Sequence, residues 1–387
     1  MIEILKYPYP YKAWLTISND PDFTDKLAWK ELNEFIFEEL GLDWANSIFL
    51  FNYNLNLPNQ VSLASHPEIA KQPSDTLHTW GDFVHAASRG FSREDAMAGI
   101  NLLAKHAIKP LVWVDHSRFT GNLIHNNSWG SVPYHDDSSG NRYQVFEYTL
   151  DLVQQIGVRY IWDGELTQYI GQNRALGLLD RLSQYSFLGK IRFFLFKYPL
   201  VLFKKLLKAE VANNLLKKHS FDDGTTLYLF KRFGNWRDAD ILGLSNVISK
   251  KNINKLLKSR GVMVAYTHLG KTNPKSKEPN HIPQKTKECL RNVKQLVDSK
   301  ELQFSSLSKM LDYLVLRDNA FIKKNEIHFM PDGIRFQELR PKDFVGQVFS
   351  FKSKLKINEI QVFLNNEKVD FQFQNFDNDV FSISIQL

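Results

Sequence analysis

The stretch "ISKKNINKLLKSRGVMVAYTH", Ile248–His268, decides the fold. A lysine-rich helical segment runs into a glycine and directly on into an apolar strand, and that strand ends on a histidine. The same order recurs in both directions along the chain. "KTKECLRNVKQLVDSK" precedes "LQFSS", "REDAMAGINLLAKHA", capped by Ser92, precedes "PLVWVDH", and "YQVFEYTLDLVQQIG" precedes "VRYIWDG". Near the start, the strand-like "KAWLTIS" is followed by "DKLAWKELNEFIFEEL", whose Leu27, Leu32, Phe35, Ile36 and Leu40 fall on one helical face, and then by "SIFLFNYN". Strands alternating with helices of this length predict parallel β/α units, closed as a barrel or laid out as an open sheet.

From about Phe321 the pattern changes. "NEIHFMPDGIRFQEL", "QVFSFKSKLKINEIQVFLNNEKVDFQFQ" and "DVFSISIQL" alternate apolar and polar residues around "PDG" and "NN" turns, without a helical period. We therefore expect a large β/α domain over 1–320 and a small β-sandwich-like domain over 321–387. A basic, apolar helical insertion is expected at about 186–220.

Composition narrows the function classes. The 387 residues are 43% hydrophobic, 24% charged and 13% aromatic, an ordinary globular balance with an aromatic excess that suits cores and sugar-stacking clefts alike. The single cysteine, Cys289, excludes an internal disulfide and a thiolate metal cluster. The opening "MIEILKYPYPYK" lacks a basic start followed by an apolar run, so a cytoplasmic location is expected.

The net charge of +7 is concentrated. Lys190, Arg192, Lys197, Lys204, Lys205, Lys208, Lys217 and Lys218 face one acid, Glu210, so residues 190–218 carry all of it. That segment is too charged and broken to span a bilayer, which needs about 20 mostly apolar residues. Its mixture of lysine, phenylalanine and leucine suits either peripheral contact with the inner face of an anionic membrane or a helical pair packed on the body. A nucleic-acid footprint is not expected, because the remaining surface has no basic excess.

Polar residues gather where the predicted strands end, the rim at which parallel β/α folds carry their chemistry. The strand ends offer Asn19, Asp20 and Asp22, then His78, then Asp115 and His116, then Trp162 and Asp163, and finally Thr267 and His268. Each residue type also has a plain structural use. Asp20 before Pro21 is strong turn chemistry, Asp82 suits a helix cap, and Trp80, Trp113 and Trp162 suit a core. His85, His125 and His135 read as solvated loop histidines.

Taken in order, "ISNDPD", "HTWGD" and "VAYTH" resemble the polysaccharide deacetylase, or NodB-homology, superfamily. They stand where that family has T-F-D-D-G-P, H-[ST]-x-x-H and a late L-x-L-x-H strand. The resemblance implies a distorted (β/α) barrel and a divalent metal, usually zinc, used to remove acetyl groups from glycans. It places the metal on Asp20, His78 and Asp82, with His268 as catalytic acid. Asn19 falls where the family has its general base, so Asp22 or Asp115 would take that role. "VWVDHSRFTGN" occupies the place of the Arg-Pro-rich third motif. Asn19, Trp80, Trp113, His116, Asp163 and Glu165 would contact substrate. Two carboxylates with one imidazole form a harder donor set than the family's, which favours manganese or magnesium beside zinc. The implied substrate is a carbohydrate, lipid-linked or nucleotide-linked, in surface-polysaccharide assembly. Two other readings remain open: a barrel that binds glycan without cleaving it, which Asn19 supports, and a glycoside hydrolase using paired carboxylates such as Asp22 and Asp163.

Overall fold

The computed structural model describes residues 2–83, 91–115, 134–136, 142–144, 149–176, 212–221, 224–271, 281–331, 341–344, 346–354, 359–377 and 379–386, with isolated positions at 188, 191 and 195. Most of the basic segment 190–218, together with His85, His116 and the side chains of His135 and Asp163, lies outside the described residues. Among the described residues, no helix is long and apolar enough to cross a membrane.

The fold is mixed α/β, built on eight parallel strands. These are β1 (Ala13–Asn19), β2 (Asn46–Ile48), β3 (Ser74–His78), β4 (Val112–Val114), β5 (Tyr160–Thr167), β6 (Thr226–Phe233), β7 (Val262–Thr267) and β8 (Leu302–Phe304). Their spatial order is β2-β3-β4-β5-β6-β7-β1-β8, and Leu216–Ser220 adds an antiparallel strand beside β6. The sheet curls as a half-barrel. At its end, β8 pairs only with the first residues of β1, Ala13–Leu15, and among the described residues no ladder joins β8 to β2.

Among the described residues, seven α-helices with full ranges accompany the strands: α1 (Lys26–Asn33), α2 (Arg93–Lys105), α3 (Leu150–Gln155), α4 (Ile241–Val247), α5 (Lys250–Ser259), α6 (Gln284–Asp298) and α7 (Leu307–Asp318). Local chemistry fixes their ends. Asp25 caps α1 by accepting from the Ala28 N–H at 2.8 Å, Asp240 caps α4 through the Gly243 N–H at 2.7 Å, and Ser92 and Asp95 form a capping box on α2. In the diagnostic stretch, α5 buries Ile253 and Leu256, stops at Arg260 in the left-handed region, and hands over to β7. All six residues of β7 and all seven of β1 are buried, as expected of parallel strands covered on both faces.

The two faces of the sheet bury different layers. Leu15 and Ile17 of β1 and Met263 and Ala265 of β7 pack with Leu32, Leu244, Leu256 and Leu290 of the outer helices. The alternate residues Trp14, Val262, Val264 and Tyr266 face inward, where α7 and the late strands close over them as one continuous core. Among its described residues, the region after Ala320 consists of strands and short 3-10 turns such as Pro341–Phe344. Two four-stranded sheets form there, and one takes in Ile2–Ile4, which pairs antiparallel with Val348–Ser353.

Candidate metal centre

The carboxyl ends of β1, β3 and β7 bring acids and imidazoles together. Asp20 and Asp22 follow β1, His78 closes β3, and His268 follows β7. One oxygen from each aspartate and one nitrogen of His78 lie within 4.8 Å of one another, an arrangement that could hold a metal ion. His78 Nε2 is 3.3 Å from Asp22 Oδ2 and 3.5 Å from Asp20 Oδ2, while His268 Nε2 is 3.5 Å and 3.8 Å from the same atoms.

Each side chain is held by its surroundings. Asp20 is fully buried, and Arg232 Nη1 donates to both of its oxygens at 2.8 Å. The guanidinium in turn lies 3.8 Å from the ring centre of Trp162 and 4.9 Å from that of Tyr266. Burial opposes ionisation of Asp20, but Arg232, His78 and His268 outweigh it and hold the carboxyl well below the usual range. Burial likewise disfavours a charged His78, yet Asp22 and Asp20 overcome it and push the imidazole up. Phe49 packs edge-on to the His78 ring. His268 Nδ1 pairs with the Ala239 carbonyl, which puts the ring proton on that side and turns Nε2 to the aspartates.

The donor set fits a divalent cation. Asp22 Oδ2 is buried with no hydrogen-bond donor, although it stands beside a second carboxylate, so its charge is uncompensated there except by imidazole. Two hard oxygens with one imidazole nitrogen suit manganese, magnesium or zinc. The site forms the floor of a cavity of about 630 Å³, walled by Phe49, His78, Tyr266 and His268 and flanked by Phe23, Trp236 and Lys271.

The other residues singled out from sequence fall as follows. Asp82 lines the cavity, and its Oδ2 accepts from the side-chain amides of Asn54 and Gln60, each at 2.9 Å. The carboxylate that completes the three-residue group with Asp20 and His78 is Asp22. Glycine at position 81 explains how Asp82 arrives there: a Cβ would sit 2.6 Å from the Phe51 carbonyl oxygen, where two short strands meet. Asn19 is buried, and its Oδ1 accepts from the Leu269 N–H at 2.7 Å, stapling the end of β1 to the end of β7. Asp115 is buried after β4, with its N–H donating to the Trp162 carbonyl. Glu165 pairs with Lys231 at 2.6 Å. Trp80 and Trp113 are fully buried and pack edge to face, and Trp162 is spent on Arg232.

No protein-family model, curated protein or solved structure matches this chain. The site therefore rests on its own geometry.

Two of its components escape sequence reading. Arg232 sits in "TLYLFKRF", an eight-residue strand whose alternation is legible but whose cation looks like an ordinary edge residue. The signal was positional: a charged side chain near the carboxyl end of a buried parallel strand needs a partner. Trp236, beyond the same strand, is 66% exposed and stands 5.9 Å from Tyr266. An exposed tryptophan beside a cavity is distinguishable from a core one only in three dimensions.

Proposed function

We propose that the protein is a divalent-metal-dependent hydrolase of the polysaccharide deacetylase type, which removes an acyl group from a sugar or glycan precursor. The observation that carries this reading is the convergence of Asp20, Asp22 and His78 on the floor of a cavity with aromatic walls, with His268 Nε2 directed at the same point. A cation held by Asp20, Asp22 and His78 would polarise the acyl carbonyl and acidify a bound water.

The chain's own groups do the rest. Arg232 fixes the Asp20 carboxylate in one orientation, so that arm of the site is set before substrate enters. His268, with its Nδ1 proton committed to Ala239, has a bare Nε2 that takes a proton from the attacking water and returns it to the departing amine or alkoxide. The imidazolium formed in between lies against Asp22 and Asp20, which stabilise it. One histidine thus serves as base and then acid, in keeping with Asn19 acting as a backbone staple rather than a base.

This reading takes the half-barrel as an opened form of the family's barrel and the late strands as its small β domain. The lysine-rich segment at 190–218 supports a lipid-linked substrate met at the inner membrane face.

Asn19 also favours a second reading, a barrel that binds glycan without hydrolysing it. Metal content of the purified protein, with acetate release from N-acetylglucosamine oligomers, separates the two. Stoichiometric metal and acetate release, both lost in His78→Ala, are expected. Metal without hydrolysis leaves the binding reading, and no metal in either protein sinks the hydrolase.

A further inference from the structure

A second cavity, of about 370 Å³, lies at the other end of the sheet, between the first residues of β1, the β8 region and the late strands. Trp14 in its wall and Asp20 in the metal centre are separated by six residues of extended chain, roughly 20 Å at about 3.3 Å per residue. The cavity belongs to no part of the site described above.

Its lining has a specific chemistry. Tyr9 and Phe376 form a ring pair with centroids 5.0 Å apart, so one wall is aromatic although its two rings come from opposite ends of the chain. Three glutamines, Gln303, Gln347 and Gln374, supply amides around it. Gln303 stands opposite Trp14 in the β8–β1 ladder, and its Oε1 is buried without a hydrogen-bond donor. A buried acceptor left unpaired is destabilising, so this position calls for a hydroxyl or N–H from outside the chain. At the mouth Lys309 is paired with Asp43 at 2.9 Å, while Lys300 is exposed. A hydroxyl-rich, ring-shaped ligand fits this lining: rings accept a pyranose face, and amides exchange hydrogen bonds with its hydroxyls.

We propose that this cavity is a second carbohydrate-binding site, in which a sugar ring packs on the Tyr9–Phe376 wall and donates a hydroxyl to Gln303 Oε1. It serves to hold a glycan away from the metal centre, and it stands whether or not that centre hydrolyses anything.

The test is calorimetric titration of the full chain with N-acetylglucosamine oligomers and malto-oligosaccharides, in a His78→Ala background that disables the metal centre. Binding is expected to persist there. Gln303→Leu, which keeps the volume and removes the acceptor, and Gln374→Ala, an exposed change that does not threaten folding, are each expected to weaken it, the first by about tenfold. Acetate release by the otherwise unaltered protein should be unaffected by either. Failure of both sugar series to bind, or binding that both glutamine variants leave unchanged, overturns the proposal.

Discussion

Arg232 gives one nitrogen to both oxygens of Asp20, at 2.8 Å each, and neither side chain has any solvent-exposed surface. The other guanidinium nitrogens find no hydrogen-bond acceptor, so the cation is balanced by one carboxylate and by the faces of Trp162 and Tyr266. Such a pair contributes little over an apolar substitute while intact. Breaking it from one side strands a buried charge, at about 3–5 kcal/mol.

Arg232→Met is accordingly expected to lower stability by about 3 kcal/mol in urea unfolding, whereas Arg232→Met with Asp20→Asn recovers a substantial part. Equal losses in the single and double variants would show that the carboxylate is balanced by the histidines instead.

Of the three candidate ligands, Asp22 is the one whose removal should spare the fold. It is partly exposed, and its Oδ2 accepts no hydrogen bond. Asp22→Ala should leave metal-free stability within about 0.5 kcal/mol of wild type. Manganese or zinc at a hundred times its dissociation constant is expected to stabilise the wild-type protein by about 2.7 kcal/mol and the variant by much less. Thermal unfolding with and without each metal reads this directly, and equal metal-induced shifts in the two proteins would exclude Asp22 as a ligand.

Trp236 separates binding from folding in the same way. Its ring is two-thirds exposed at the mouth of the larger cavity, so its loss removes little buried surface. Trp236→Ala should raise KM for a glycan substrate by up to about tenfold, the worth of one aromatic contact, with kcat and the unfolding midpoint nearly unchanged. A fall in kcat alone would place the ring in the chemistry rather than the cleft.

How far these sites can be read from residues alone depends on what each residue needs. The β/α rhythm is local, and "ISKKNINKLLKSRGVMVAYTH" carries its helix, its glycine and its strand within one stretch, which is why the architecture follows from it. Asp20, His78 and His268 are legible because strand ends in parallel sheets converge. The choice between Asp22 and Asp82 is not local: it turns on Asn54 and Gln60, two amides from a separate loop that occupy the Asp82 carboxylate. Closure of the sheet is equally non-local. β8 reaches only Ala13–Leu15 of β1, and α7 fills the inner face beside it, a packing outcome that no periodicity announces.

Asp75 supplies a pH dependence whose sign follows from burial. Its carboxylate is enclosed, accepting from the Ser308 N–H and the Thr76 hydroxyl, each at 2.8 Å. Desolvation outweighs both bonds and raises its pKa above the ordinary value. A folded-state pKa above the unfolded one means that folding favours the protonated form. The group's contribution to stability is therefore complete below about pH 3.9, the unfolded value, and is lost as pH rises through the raised folded value. Asp75→Asn keeps an acceptor for Ser308 and cannot ionise. Relative to this variant, the wild-type protein should be most stable at acid pH and lose ground steadily toward neutrality, measured as urea midpoints across the acid range. A difference that is constant with pH, or that grows in favour of wild type toward neutrality, would show that the hydrogen bonds from Ser308 and Thr76 dominate over burial.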